Sequence, residues 1–372
     1  RGKHATRALR AAHAGFYLSN HTLSVGIIGP GNVGTALLDQ IAAQRDHLQE
    51  ENGIDIRVRG IVNTQRMLLD EKHINLRTWR HALQEASHAP DLDALVDHIR
   101  TDYHPHAVLI DCTSSQEVAD HYPAWLERGI HVITPNKKAN TSGQDVYRAL
   151  RRSSRGPGPQ YLYETTVGAG LPIIQTLRNL IETGDRVEHI EGILSGTLSY
   201  LFNAFDGERA FSDILREAKA NGFTEPDPRD DLSGMDVARK IVILGREIGL
   251  DLSLDDVTVE SLVPEGLDAG SVDDFLDRLA EYDDRMTAIL REAREHNQVL
   301  RFVGSVDRSG EASVKLRRYD ADHSFARINH TDNIVQFRTQ RYNTNPLVVQ
   351  GPGAGPEVTA AGVFADLLRV PS

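Results

Sequence analysis

Short apolar runs alternate along this chain with longer stretches in which apolar residues recur every three or four positions. Residues 23–28 are mostly apolar, as expected of a strand covered on both faces. From about Asn32 toward Gln49, Val33, Leu37, Ile41 and Ala42 recur at helical spacing and predict a helix directly behind that strand. Strand-like runs return at 56–62, 106–111 and 130–134, so the first half alternates strand and helix as an open parallel sheet does. Past residue 160 the order changes. Residues 161–174 read as a strand running through a glycine loop into a helix, and 190–202 as a strand ending in a small-residue turn, Ser195-Gly196-Thr197. Residues 299–306, 312–316 and 333–338 read as strands finishing a mixed sheet, before a glycine loop at 351–355 feeds the amphipathic helix 358–368.

The first strand runs straight into Gly29-Pro30-Gly31-Asn32-Val33-Gly34. A strand, this glycine pattern and a helix in immediate succession form the dinucleotide-binding context; the glycines alone would be weak evidence. Gly29 permits the tight turn, Gly31 lets backbone approach a pyrophosphate, and Gly34 packs helix on strand. The phosphates belong at the helix N-terminus, which makes Asn32 and Val33 contacts as well. The second strand ends in Asn63-Thr64-Gln65-Arg66, with no Asp or Glu to hold a ribose 2′-hydroxyl. Arg66, with Arg57 or Arg59, could meet a 2′-phosphate, so NADP is expected ahead of NAD. The fold class is therefore α/β, a Rossmann-type dinucleotide-binding domain followed by an α+β domain with a mixed sheet. The expected division is a linker with an N-terminal helix over 1–22, the nucleotide domain over 23–157, a second domain over 158–345, and a return to the nucleotide domain over 346–372. Ser153-Ser154-Arg155-Gly156-Pro157-Gly158-Pro159 is the best seam.

Composition narrows the class. The 372 residues are long enough for two cores, and 40% hydrophobic with 25% charged residues is ordinary for a globular protein. No apolar run approaches the roughly 20 residues that span a bilayer. The single cysteine, Cys112, excludes an internal disulfide and fits a reducing compartment, so a cytoplasmic location is expected. A net charge of −12 speaks against nucleic acid. The acids between Glu265 and Asp284 read as a solvated helix face. The 16 histidines form no H-E-x-x-H cluster, and a zinc dehydrogenase would need cysteine ligands that are missing. Cys112 as an acylating nucleophile would need an activating histidine, and it stands instead at a strand end beside the cofactor turn.

The most informative stretch is 218–240. At helical spacing Lys240 shares a face with Asp236, Val237, Ile243 and Leu244. A helix burying that stripe carries the ammonium inward, and lysine is almost never fully buried without a partner. Asp236, at i−4, is the natural one. A solvated ion pair is the bland alternative; the apolar flanks and the carboxylates Glu225, Asp227, Asp230 and Asp231 favour a functional lysine. Burial lowers a lysine pKa and a neighbouring carboxylate raises it, and the sequence leaves that balance open. Earlier, Glu164 and the loop around Gly168 and Gly170 offer oxygen ligands suited to a hard cation, with a plain turn equally open.

Ala218, then Gly222-Phe223-Thr224, Asp227-Pro228, Asp231-Leu232, Gly234, Asp236 and Lys240 together resemble the signature of the homoserine dehydrogenases, with every fixed position filled. The resemblance implies reversible NAD(P)H-dependent reduction of L-aspartate 4-semialdehyde to L-homoserine, on the route to threonine and methionine. It implies that Lys240 donates the proton, that Asp236 orients it and contacts substrate, and that Glu225 holds the substrate amino group. Thr197 becomes a substrate contact and Thr113 and Ser114 cofactor contacts, while Lys137 reaches cofactor and substrate. Gly222 and Gly355 come beside the cofactor. A structural Na+ is implied on Glu164 and the carbonyls of Val167, Ala169 and Leu171. The second domain becomes catalytic and dimerising, with a homodimer through its sheet. The opening segment, 3–21, resembles the linker of a bifunctional aspartokinase–homoserine dehydrogenase, which would put an aspartokinase half outside this chain. The rival implication is a non-catalytic NADP-binding module regulating such a kinase; the joint presence of Glu225, Asp236 and Lys240 counts against it.

Overall fold

The structure is a computed structural model that describes residues 21–101, 104–154 and 158–370. The predicted N-terminal helix and linker therefore lie outside the described residues, except at their last positions. The chain divides into two compact units: residues up to Thr166 together with Gly355 onward, and Val167–Ala354.

The first unit is built on six strands, β1 (Thr22–Ile28), β2 (Asp55–Val62), β3 (Met67–Leu69), β4 (His106–Asp111), β5 (His131–Ile133) and β6 (Tyr161–Leu162). Their order is β3-β2-β1-β4-β5-β6, and every pairing is parallel except β2 with β3. Every residue of β1 is buried, which is why its sequence shows no alternation. The helices Asn32–Asn52 and Pro356–Arg369 join the strands in one core, where Leu37, Leu38 and Ile41 meet Val363, Phe364 and Leu367 around Val25 and Ile27. The chain stays in this unit past the glycine-rich seam because Tyr161 and Leu162 pair with Val132 and Ile133.

The second unit holds β7 (Val187–Ile193), β8 (Val257–Val259), β9 (Gln298–Asp307), β10 (Ala312–Asp320), β11 (Asp332–Thr339) and β12 (Leu347–Pro352). The order is β12-β11-β7-β9-β10-β8, antiparallel except for β10 with β8, so the sheet is mixed. Residues 346–354 remain here because β12 pairs along β11. β7 stops at Ile193, just before the expected turn Ser195-Gly196-Thr197, and Ser195 caps the helix Gly196–Ala204 by accepting from the Leu198 amide. The helix Met235–Glu247 lies close on β9 because Gly304 has no side chain. A Cβ there would stand 2.7 Å from Ile241 and 2.8 Å from Val237. Among the described residues no helix is long and apolar enough to cross a membrane.

Candidate active site

In the first unit the turn after β1 takes the shape its glycines predict. Gly29 sits at φ +78, and a Cβ on Gly34 would approach the Gly29 carbonyl oxygen at 2.6 Å. A Cβ on Gly31 would meet nothing within 4 Å, so the backbone there faces open space. The helix behind it begins at Asn32 with no capping side chain and no acid in its first turn. The first-turn amides at Asn32, Val33 and Gly34 thus form a positive end suited to a pyrophosphate. A cleft of about 870 Å³ opens here and brings Gly29 and Gly31 together with Thr113 and Ser114 from the end of β4. That volume suits a nucleotide.

A smaller pocket of about 420 Å³ borders the end of β2, lined by Asn63, Arg66, Trp79 and Arg80 among others. Asn63 Oδ1 accepts from the Gln65 and Arg66 amides and turns the chain there. Arg66 donates to the Ala86 carbonyl at 3.1 Å and remains exposed. Arg80 lies 4.9 Å over the Trp79 ring and 3.0 Å from Asp39. The other two arginines suggested by the sequence are spent elsewhere. Arg59 is buried and donates to the His98 and Glu71 carbonyls, and Arg57 pairs with Asp55 at 2.7 Å. Arg80 stands fourteen positions beyond Arg66 and gave no signal in the sequence beyond being one more exposed arginine.

Lys137 is half-buried on the loop after β5, and Lys138 beside it is exposed. Gly355 stands at φ +109 where the chain re-enters this unit. Burial, and then the neighbouring Asp111, push the Cys112 thiol well above the usual range, which disfavours a thiolate there. Glu164 is buried, its amide donating to Asp366 Oδ2 at 3.0 Å and its carboxylate 3.8 Å from Arg369.

The second unit holds the lysine. Gly234, at φ +73, turns the chain into the helix Met235–Glu247. Lys240 is only 8% exposed. Its Nζ lies 2.8 Å from Asp236 Oδ2 and donates to the Leu194 carbonyl, at the end of β7, at 2.6 Å. The ion pair is the predicted one, but the ammonium is buried at a strand end and not spread over a solvated helix face. Asp236 is half exposed, so the pair opens to water on its carboxylate side.

Asp231 organises the approach to it. Thr197 Oγ1 lies 2.8 Å from Asp231 Oδ1 and 2.6 Å from the Phe223 carbonyl, and the Glu225 amide donates to Asp231 Oδ2 at 2.8 Å. The Thr197 hydroxyl is thus engaged within its own loop cluster. Burial raises the Asp231 pKa, against the pull of the Glu225 amide and the Thr197 hydroxyl and with the push of Glu225 and Asp236. Asp231 is a fixed position of the signature, but its spacing from Lys240 gives no hint that it would bind Thr197 and Glu225 into one acidic cluster. Gly222, at φ +72, is exposed in the loop before Glu225. Ala169 adopts φ +51, a left-handed geometry uncommon outside glycine, between Val167 and Leu171. The Leu171 carbonyl accepts from the Ile173 amide at 2.8 Å.

A family profile described as homoserine dehydrogenase, NAD binding domain, matches residues 29–164, and one described as homoserine dehydrogenase matches 172–368. The homoserine dehydrogenase of Schizosaccharomyces pombe is 43% identical over 95% of this chain and 96% of its own length. The chain belongs to the homoserine dehydrogenase family. It is also 54% identical to the chloroplastic bifunctional aspartokinase/homoserine dehydrogenase 2 of Zea mays, matching over 98% of this chain. It spans only 40% of the length of that relative. Among solved structures, a Candida auris protein of unknown function superposes with a TM-score of 0.87 at 39% identity, covering 94% of this chain and 98% of that one. The first profile takes in β2 to β6 and the second all of the second sheet, so the match reaches both units.

Proposed function

We propose that this chain catalyses the reversible NAD(P)H-dependent reduction of L-aspartate 4-semialdehyde to L-homoserine, with Lys240 as proton donor. The observation that carries the reading is the Lys240 ammonium, buried between the Asp236 carboxylate and the Leu194 carbonyl beside an acidic cluster. Bound cofactor supplies the hydride that adds to the aldehyde carbon. Lys240 gives a proton to the oxygen that gains charge as this happens, and takes it back in the reverse direction. Asp236 and the Leu194 carbonyl fix the position of the ammonium from which the proton is given. Glu225 and Asp231 form the carboxylate pair for the substrate amino group, with Thr197 setting Asp231 in place. Asp236 orients Lys240 and contacts substrate.

On the cofactor side, Gly29, Gly31, Asn32, Val33 and Gly34 hold the pyrophosphate, and Thr113, Ser114, Gly222 and Gly355 frame the dinucleotide. Lys137 serves both cofactor and substrate. Arg66 and Arg80 take a 2′-phosphate, which favours NADP over NAD; the absence of any acid from Asn63 to Arg66 supports this. Glu164 with the carbonyls of Val167, Ala169 and Leu171 would hold a Na+ that stiffens the chain before the helix Ile173–Glu182. We also read the protein as a homodimer through the face of the second sheet that bears Glu191, Ser305 and Arg317. Its 54% identity over 98% of this chain to a bifunctional relative supports an aspartokinase partnership. One cysteine fits a reducing compartment, and the chloroplastic name of the plant relative makes a plastid as good a home as the cytoplasm.

The test is absorbance at the reduced-nicotinamide band with L-homoserine and NADP. Homoserine-dependent formation of NADPH is expected; tight cofactor binding with no turnover would contradict the reading and leave a regulatory module.

A further inference from the structure

Two loops of the first unit carry its working residues, Thr113 and Ser114 on one and Lys137 on the other. Both hang on one buried carboxylate. Asp111, the last residue of β4, has no exposed surface. Its Oδ1 accepts from the Thr113 amide at 2.8 Å. Its Oδ2 accepts from the Tyr122 hydroxyl and, at 3.2 Å, from Asn136 Nδ2. Its main-chain carbonyl accepts from the Thr134 hydroxyl at 2.8 Å. Asn136 carries the connection onward. Nδ2 also donates to the Ser115 carbonyl at 2.9 Å, Oδ1 accepts from the Lys138 amide at 3.1 Å, and the Asn136 amide donates to Thr134 Oγ1 at 2.9 Å. The backbone on both sides of Lys137 is therefore pinned to the group that pins Thr113.

None of the groups just named is cationic. A carboxylate withdrawn from water and met by neutral donors costs stability that apolar packing would not. Tyr122 and Asn136 are themselves buried, at 0% and 4% exposure. What the arrangement does supply is a fixed spacing. We propose that Asp111, Tyr122 and Asn136 are positioning residues that set the distance between the Thr113–Ser114 loop and Lys137, and so align cofactor and lysine for hydride transfer. This rests on the reading of Lys137 and Thr113 as active-site residues.

The direct variant, Asp111→Asn, presents an amide to two donors and threatens folding, so the outer residues carry the test. Asn136→Ala and Tyr122→Phe are measured in the full chain, each alone and in a Lys137→Ala background. The readouts are kcat and KM with homoserine and NADP, alongside thermal unfolding. Asn136→Ala is expected to lower kcat by up to about 10²-fold, the scale of a 1 Å misplacement, with the folded state retained. Tyr122→Phe keeps the ring packing and is expected to cost less. In the Lys137→Ala background the same changes should cost almost nothing more, because the group they position is gone. Losses that reappear in full in that background, or no loss from Asn136→Ala at all, would overturn the positioning role alone. A Lys137→Ala chain with undiminished turnover would instead overturn the reading of Lys137, and this proposal with it.

Discussion

Lys240 shows what one residue reveals in sequence and what it conceals. Its i−4 partner Asp236 was legible from helical spacing, and the apolar stripe around it announced burial. The Leu194 carbonyl, 46 positions away, was not, because only the sheet brings that strand end to the helix. The same limit hid Asp231 as the junction of Thr197 and Glu225, and Arg80 as the neighbour of Arg66. For the arginine pair the consequence is testable. Each contact to a 2′-phosphate dianion should be worth about 1.5–3 kcal/mol, as for hydrogen bonds to charged groups. Arg66→Ala and Arg80→Ala should therefore each raise KM for NADP at least tenfold on that energy scale and leave KM for NAD nearly unchanged. Equal losses with both cofactors would remove the 2′-phosphate from this pocket.

At the scale of elements, periodicity located most strands and the helix carrying Lys240, because their apolar patterns are long. The turn Ser195-Gly196-Thr197 marked the end of β7, but not that Ser195 caps a helix, Gly196–Ala204. Periodicity passed over β3, β8 and β12. Two of them, β3 and β8, are only three residues long, and β12 is half exposed at the sheet edge. Gly304, in the middle of β9, lets the helix Met235–Glu247 approach the sheet. Gly304→Ala would push Ile241 and Val237 outward by a few tenths of an ångström or more. The expected cost is about 1–3 kcal/mol of stability, as for overpacked cores, read as a lower denaturant midpoint. Turnover should fall as well, because Gly304 packs against Val237 and Ile241, next to Asp236 and Lys240 on the same helix. Unchanged stability would show that the helix is free to lift.

Across the whole molecule, the return of the C-terminal helix Pro356–Arg369 to the first core makes that unit discontinuous in sequence. The glycine loop before it hinted at this, but the boundary depended on the pairing of β12. The first unit also carries a pH liability at the starts of β4 and β5. Burial holds His131 and His104 neutral, lowering both from 6.5 to about 4, and for His131 the adjacent His106 adds to the effect. The unfolded chain takes up these protons below about pH 6.5 and the folded chain only near pH 4, so the folded state loses stability as pH falls through that window. Thermal unfolding followed by circular dichroism should show the midpoint falling from pH 6.5 toward 4, with a shallower fall in His131→Asn. A midpoint flat over that range would mean the histidines are not held neutral. The whole account turns on Lys240, and one measurement reaches it most directly: homoserine-dependent NADP reduction by Lys240→Ala, with cofactor affinity measured on the same sample. Turnover should drop by about 10²–10⁴-fold, the range for a general acid, while cofactor affinity stays at the wild-type value. Wild-type turnover in that variant would take the proton donor away from Lys240 and contradict the account at its centre.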